Sequence, residues 1–216
     1  MTKRTETDPT HKSFRTIFQE YSEAFVVAVI LAILIRAFLV QAFKIPSSSM
    51  EPTLLIGDHI LVNKFIYGIR IPFTTIRWPR FEDPERGDVI VFTFPEDRTK
   101  DFIKRVIGVP GDTIEIINKT VFVNGKPYEN PHAHFYNSTV YPGDVSRRDN
   151  MPPTKVPEDR LFVMGDNRDY SLDSRFWGFV PIEDVKGEAF LIYYSAGNAP
   201  GGRWELRWSR IFKVIR

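Results

Sequence analysis

The residues best suited to chemistry in this chain are hydroxyls and amines. Ile45-Pro46-Ser47-Ser48-Ser49-Met50-Glu51-Pro52-Thr53-Leu54 packs three serines between two prolines. Pro46 fixes its own φ, and Pro52 pushes Glu51 toward extended geometry. Serines on so stiff a piece are well placed to present a hydroxyl. A polar linker would have the same composition, since Ser-rich linkers are common. A serine attacks a carbonyl only with a base for its proton and donors for the oxyanion. The chain has no cysteine, which removes thiol catalysis, thiolate metal sites and disulfides together. Its histidines are His11, His59, His132 and His134. Only His132 and His134 are close, and two ligands do not make a zinc site, so they read as an exposed loop pair. His59 falls in an expected strand and reads as packed or solvent-facing. No metal and no cofactor is expected.

The base is then sought among the lysines. Asp101-Phe-Ile-Lys-Arg-Val-Ile-Gly-Val-Pro-Gly-Asp112 sets Lys104 between Phe102-Ile103 and Val106-Ile107. A lysine in such a strand is partly desolvated, and burial lowers its pKa from about 10.4 toward neutrality. A neutral lysine can take a proton from serine. Arg105 has an equal claim to the inward face, because alternation alone does not decide between them. A third stretch, Gly165-Asp-Asn-Arg-Asp-Tyr-Ser-Leu-Asp-Ser-Arg-Phe-Trp-Gly178, is too polar for a core strand and too rich in charge pairs for a plain linker. Its bland reading is a solvated turn whose exposed Asp–Arg pairs stabilise little.

Elements must position these groups. The chain has 216 residues, enough for one compact domain, an anchor and a small inserted lobe. Its net charge of +2 gives no field that argues for nucleic acid. Residues Met1 to Glu23 are polar. From Ala24 to Phe43 the only strongly polar residues are Arg36 and Gln41. That run spans roughly 30 Å as a helix, the thickness of a bilayer core. It reads as a retained transmembrane anchor over residues 24–43, with Arg36 snorkelling at its distal end. A cleaved signal peptide and a buried core helix are the competing readings. Lys3, Arg4, Lys12 and Arg15 lean toward an inside N-terminus.

Beyond Pro52 the pattern is of strands: residues 59–67, 89–94, 102–109, 160–164, 189–194 and 204–214. Residues 113–128 carry a hairpin signal at Asn124-Gly125, which suits a type I′ turn. Residues 136–156 read as irregular. The expected fold is an antiparallel, mainly-β catalytic body over residues 44–216, with an inserted β lobe at about 113–157.

The three polar stretches, in this order behind one apolar segment, resemble bacterial type I signal peptidases. These are membrane-anchored serine proteases with a Ser–Lys pair. The resemblance runs from about Phe43 to the end and is weakest between about Ile114 and Pro157. It implies Ser49 as nucleophile and Lys104 as general base. Ser47 and the Ser49 backbone N–H would serve the oxyanion hole. Ser171 would aim the Lys104 amine, Asp173 and Arg175 would pair to brace that loop, and Asp166 and Arg168 would assist. The family's usual glycine is Ser48 here, which needs a backbone that accepts a Cβ. Two shallow substrate pockets would be lined by Phe43, Ile45, Met50, Leu54, Ile60, Val91, Phe102 and Ile103. The implied partners are preprotein signal peptides, cut at Ala-x-Ala-like sites, and the lipid bilayer. The implied location is the bacterial inner membrane, N-terminus cytoplasmic and body outside. A specialised Ser–Lys maturation peptidase for one secretion system is the nearest rival. A membrane-tethered β domain that binds without cutting is the rival of another class.

Overall fold

The computed structural model describes residues 14–68, 81–198 and 202–216. The chain divides into two compact units, Met1–Leu39 and Val40–Arg216. The first holds helix α1, Phe14–Phe38. Its apolar side chains are exposed along its length, among them Phe18, Phe25, Val26, Ile30, Leu31 and Ile33. Among the described residues, no helix is long and apolar enough to cross a membrane. The expected span 24–43 also ends too late. Helix gives way to strand at Val40, because residues 40–44 pair with the next strand, Phe43 opposite Ile60. Residues 14–23, expected as part of a polar lead, are helical, and residues 1–13 of that lead lie outside the described residues.

The second unit is mainly antiparallel β, as its patterning predicts. Its strands are β1 (Val40–Lys44), β2 (Asp58–Asn63), β3 (Val89–Thr93), β4 (Asp101–Gly108), β5 (Thr113–Ile117), β6 (Thr120–Val123), β7 (Lys126–Pro127), β8 (Met151–Lys155), β9 (Arg160–Met164), β10 (Val180–Pro181), β11 (Val185–Asn198), β12 (Trp204–Leu206) and β13 (Lys213–Val214). The main sheet runs β1-β2-β11-β3-β4-β9-β10, with β12 and β13 also pairing β11. The long strand β11 is therefore the seam between the β1–β2 and β3–β4 hairpins. A four-residue helix, α2 (Ser174–Trp177), lies between β9 and β10.

A separate four-stranded sheet, ordered β7-β6-β5-β8, occupies the segment expected as an inserted lobe. Asn124 (φ 52°) and Gly125 (φ 76°) turn the chain from β6 to β7 where the Asn-Gly signal sits. A second turn, Asn118 (φ 48°) and Lys119 (φ 72°), joins β5 to β6 and carries no comparable signal, because lysine is not a turn-former. Strand β8 corrects the irregular reading of 136–156 at its end. Its Pro152 and Pro153 are tolerated because β8 is an edge strand, paired only with β5.

Candidate active site

The serine loop leaves β1 and is pinned by apolar anchors on both sides of the nucleophile. Ile45, Met50 and Leu54 are buried in one core cluster with Ile60, Val62, Val89, Val91 and Ile103. Backbone bonds add to this: Ile45 N to Asp58 O at 2.8 Å, Gly57 N to Ile45 O at 3.0 Å and Leu54 N to Met50 O at 2.9 Å. Ser48 does not take a positive φ, so its Cβ is accommodated. Asn167 clamps the loop from outside, its Nδ2 donating to Ser48 O at 3.0 Å and its N–H to Ser49 O at 3.2 Å. Ser49 is buried, and Ser47 Oγ is exposed and 3.5 Å from Ser49 Oγ.

Strand β4 places both members of the Lys104-Arg105 step inward, on opposite faces. Lys104 is 4 % exposed, and its Nζ donates to Ser49 Oγ at 2.7 Å and to Ile103 O at 2.9 Å. The Phe102 ring lies 5.4 Å from the amine. Burial pushes the amine's pKa down to about 8. Asp173 and Asp166 pull against that shift, and Arg175 adds to it. Arg105 is 1 % exposed and grips Asp166 through both carboxylate oxygens, at 2.8 and 2.7 Å. Its third nitrogen donates to Gly87 O at 2.7 Å. Thr53 Oγ1 donates to the same Asp166 at 2.6 Å, which ties the serine loop to the pair. Sequence reasoning left the choice between Lys104 and Arg105 open. It did not foresee that β4 is covered on both faces.

The loop from Gly165 to Gly178 folds back over this pair. Asp173 caps α2 and accepts from Gly165 N at 3.0 Å. Arg175 meets Asp173 with Nε and Nη2, both at 2.8 Å, and donates onward to Arg148 O and Arg168 O. Burial alone would raise the Asp173 carboxyl; Arg175 and the Gly165 N–H outweigh it and hold it below its usual range. Ser171 is buried beside Gly165, but the Lys104 amine bonds Ser49 and Ile103 and makes no bond to the Ser171 hydroxyl. Arg168 is buried with Nε and Nη2 unpartnered. Burial, then Arg175, pushes its pKa down to about 10.

Seven of the eight expected pocket residues share one cluster: Ile45, Met50, Leu54, Ile60, Val91 and Ile103 are its buried members, and Phe43 packs partly buried against it. Met50, Leu54 and Ile60 are wholly covered, so Phe43 and Ile103 are the members nearest the surface. Phe102 lies outside that cluster, with its ring beside the Lys104 amine. It packs on the cluster of Phe92, Val106 and Val163 and stacks on Phe94 at 4.2 Å. Hydropathy does not separate a pocket wall from the core beneath it. His59 is packed between Tyr193 and Tyr194, at 5.8 and 5.2 Å. His134 is exposed and His132 half-buried. Among the described residues, no group of three metal-ligating side chains comes together.

Arg105, weighed in the sequence only as a rival to Lys104 for the inward face, completes the site with Asn167, Thr53 and Gly165, which the sequence did not single out. Only the burial of Arg105 had a signal, the apolar flanks it shares with Lys104.

Known proteins bear on this arrangement. The family described as signal peptidase, peptidase S26, matches residues 18–194. A signal peptidase I of Pseudomonas fluorescens is 40% identical over 205 residues, covering 82% of this chain and 72% of the relative. One from Aquifex aeolicus is 39% identical over 224 residues, covering 80% and 82%. A probable signal peptidase I-2 of Synechocystis is 41% identical over 186 residues, covering 81% and 72%. The family match takes in the serine loop, β4 and the Gly165–Gly178 loop together. This chain therefore belongs to the signal peptidase family, peptidase S26, and is a serine endopeptidase.

Proposed function

We propose that the protein removes signal peptides from exported preproteins by a Ser49–Lys104 mechanism. The observation that carries this reading is the 2.7 Å contact between the Ser49 hydroxyl and a buried lysine whose pKa is near 8. With the amine neutral, Ser49 Oγ passes its proton to Lys104 Nζ as it attacks the scissile carbonyl. The oxyanion takes hydrogen bonds from the Ser49 N–H and the Ser47 hydroxyl, which stands 3.5 Å from Ser49 Oγ. The C–N bond breaks as Lys104 returns its proton to the leaving amine. A water then attacks the acyl-enzyme and gives its proton to Lys104, which passes it to Ser49 Oγ as the ester C–O bond breaks, releasing the acid and restoring the free serine and neutral amine. Neither a metal nor a cofactor enters any step.

Phe43 and Ile103 front a packed apolar wall that accepts a methyl group and excludes larger side chains, which supports small residues in an Ala-x-Ala pattern before the cut. The exposed apolar side chains of α1 support a membrane anchor in the stretch from Ala24, and the basic residues Lys3, Arg4, Lys12 and Arg15 before it support a cytoplasmic N-terminus with the body outside. Purified protein is incubated with a preprotein, and the new N-terminus is sequenced. Release of a mature chain at a small-x-small site is expected. Cleavage elsewhere, or none, overturns the reading. Retention in the membrane fraction after alkaline extraction tests the anchor.

A further inference from the structure

Two exposed tyrosines stand beside the serine loop without any part in the chemistry. Tyr136 and Tyr170 are 52 and 63 % exposed and meet edge to face at 5.7 Å. Tyr136 also meets the His134 ring at 4.6 Å. Tyr170 lies on the Gly165–Gly178 loop itself, and the irregular segment carrying Tyr136 is held firmly to that loop. Tyr136 N and Asn137 N donate to Asp169 Oδ2 at 2.7 and 3.1 Å. His134 N donates to Asp166 O at 2.7 Å, and Arg168 N to His134 O at 2.9 Å. The Tyr136 hydroxyl reaches Glu51 Oε2 at 3.4 Å, and Glu51 follows Ser49 by two positions. Among the described residues Glu51 forms no ion pair.

Large aromatic rings exposed on a fixed backbone cost little entropy to engage and are typical binding anchors. The apolar wall fronted by Phe43 and Ile103 is built on β1 and β4, and takes the residues before the cut in the reading above. Tyr136, Tyr170 and Glu51 belong to no core cluster, and they gather around the chain that follows the nucleophile. A peptide lying through the site extends in both directions from Ser49. We infer that Tyr136, Tyr170 and Glu51 bind the substrate residues that follow the cut, as an extended peptide, with the Glu51 carboxylate favouring a basic side chain there. This inference rests on the signal-peptide cleavage reading given under Proposed function.

The test uses the full chain in detergent with substrates identical up to the cut. One ends a single residue after it, one runs six residues further, and two long versions carry Lys or Glu at the second position after it. A further substrate is lengthened only on the upstream side. Wild type is expected to favour the long substrate by roughly tenfold in kcat/KM, through KM. Tyr136→Ala/Tyr170→Ala should bring that ratio toward one, and Glu51→Gln should erase the Lys-over-Glu preference. Should the double variant not fold, two measurements remain: the Glu51→Gln comparison, and inhibition of wild type by the free peptide that follows the cut. Competitive inhibition supports the inference and its absence overturns it. A wild-type long-to-short ratio of one, or a loss confined to the upstream-extended substrate, also overturns it. If wild type cleaves none of the substrates, the reading given under Proposed function itself falls.

Discussion

A Cβ placed on Gly165 would lie 2.3 Å from the Ser49 carbonyl oxygen and 2.3 Å from Ser171 Oγ. The glycine is thus the point where the loop carrying Asp166 and Asp173 touches the back of the nucleophile. Gly165→Ala must push backbone against backbone. A misplacement of about 1 Å costs on the order of 100-fold in rate, so kcat/KM should fall by that order in a variant that still folds. A folded Gly165→Ala enzyme with wild-type turnover would show that the loop does not set the serine's position.

Ser49→Ala should leave the fold intact, because Met50 and Leu54 rather than the hydroxyl anchor the loop. Its activity should drop by about 10⁴-fold or more. Lys104→Arg should not rescue a Lys104→Met enzyme, since a guanidinium stays protonated and cannot accept the serine's proton. Turnover by purified Ser49→Ala near the wild-type rate would remove the serine from the mechanism.

The pH profile follows from the lysine. Only the neutral amine accepts a proton, so kcat/KM should climb as pH rises through about 8 and level off above it. An ascending limb centred near 10.5, the ordinary lysine value, would mean that burial does not tune Lys104.

The same burial should make Lys104 a source of instability at neutral pH. Its folded pKa lies below its unfolded one, so between about 8 and 10.5 the unfolded chain holds more protons and stability rises with pH. Below about 8 the cost is fully present, and the interval corresponds to roughly 3 kcal/mol. Lys104→Met should therefore be more stable than wild type at pH 7, by about 1–3 kcal/mol once its lost hydrogen bonds are counted. The gap should close as pH approaches 10.5. Denaturant melts across pH measure it, and a gap that widens with pH would contradict the sign.

Arg105 and Asp166 are both nearly sealed from solvent. Arg105→Leu leaves a buried carboxylate with Thr53 as its side-chain donor, and should cost roughly 3–5 kcal/mol. Replacing both partners by leucine should recover part of that loss. Equal melting of Arg105→Leu and wild type would show that the pair is not a buried one in solution.

The three polar stretches could be found in the sequence because their residue types are out of place. Serines sit between prolines, a lysine interrupts an apolar strand, and charges are dense enough to need each other. The strands were legible wherever alternation or apolar runs met a Gly or Pro stop, as at β3, β4 and β9. What could not be read is partnership at a distance. Nothing near Arg105 names Asp166, and nothing near Asn167 names Ser48. Burial on both faces of β4 also erases the alternation that would have separated Lys104 from Arg105. Phe102 was grouped with its neighbour Ile103, although adjacent residues on a strand face opposite ways.

Ser49 belongs to the β1–β2 hairpin and Lys104 to the β3–β4 hairpin, and among the described strands the sheet joins those hairpins through β11, which begins at Val185. A chain that emerges N-terminus first holds its nucleophile and its base long before it holds the strand between them. The catalytic pair is therefore expected to assemble only when that late part of the chain arrives. A truncated or stalled chain would carry both residues and no protease.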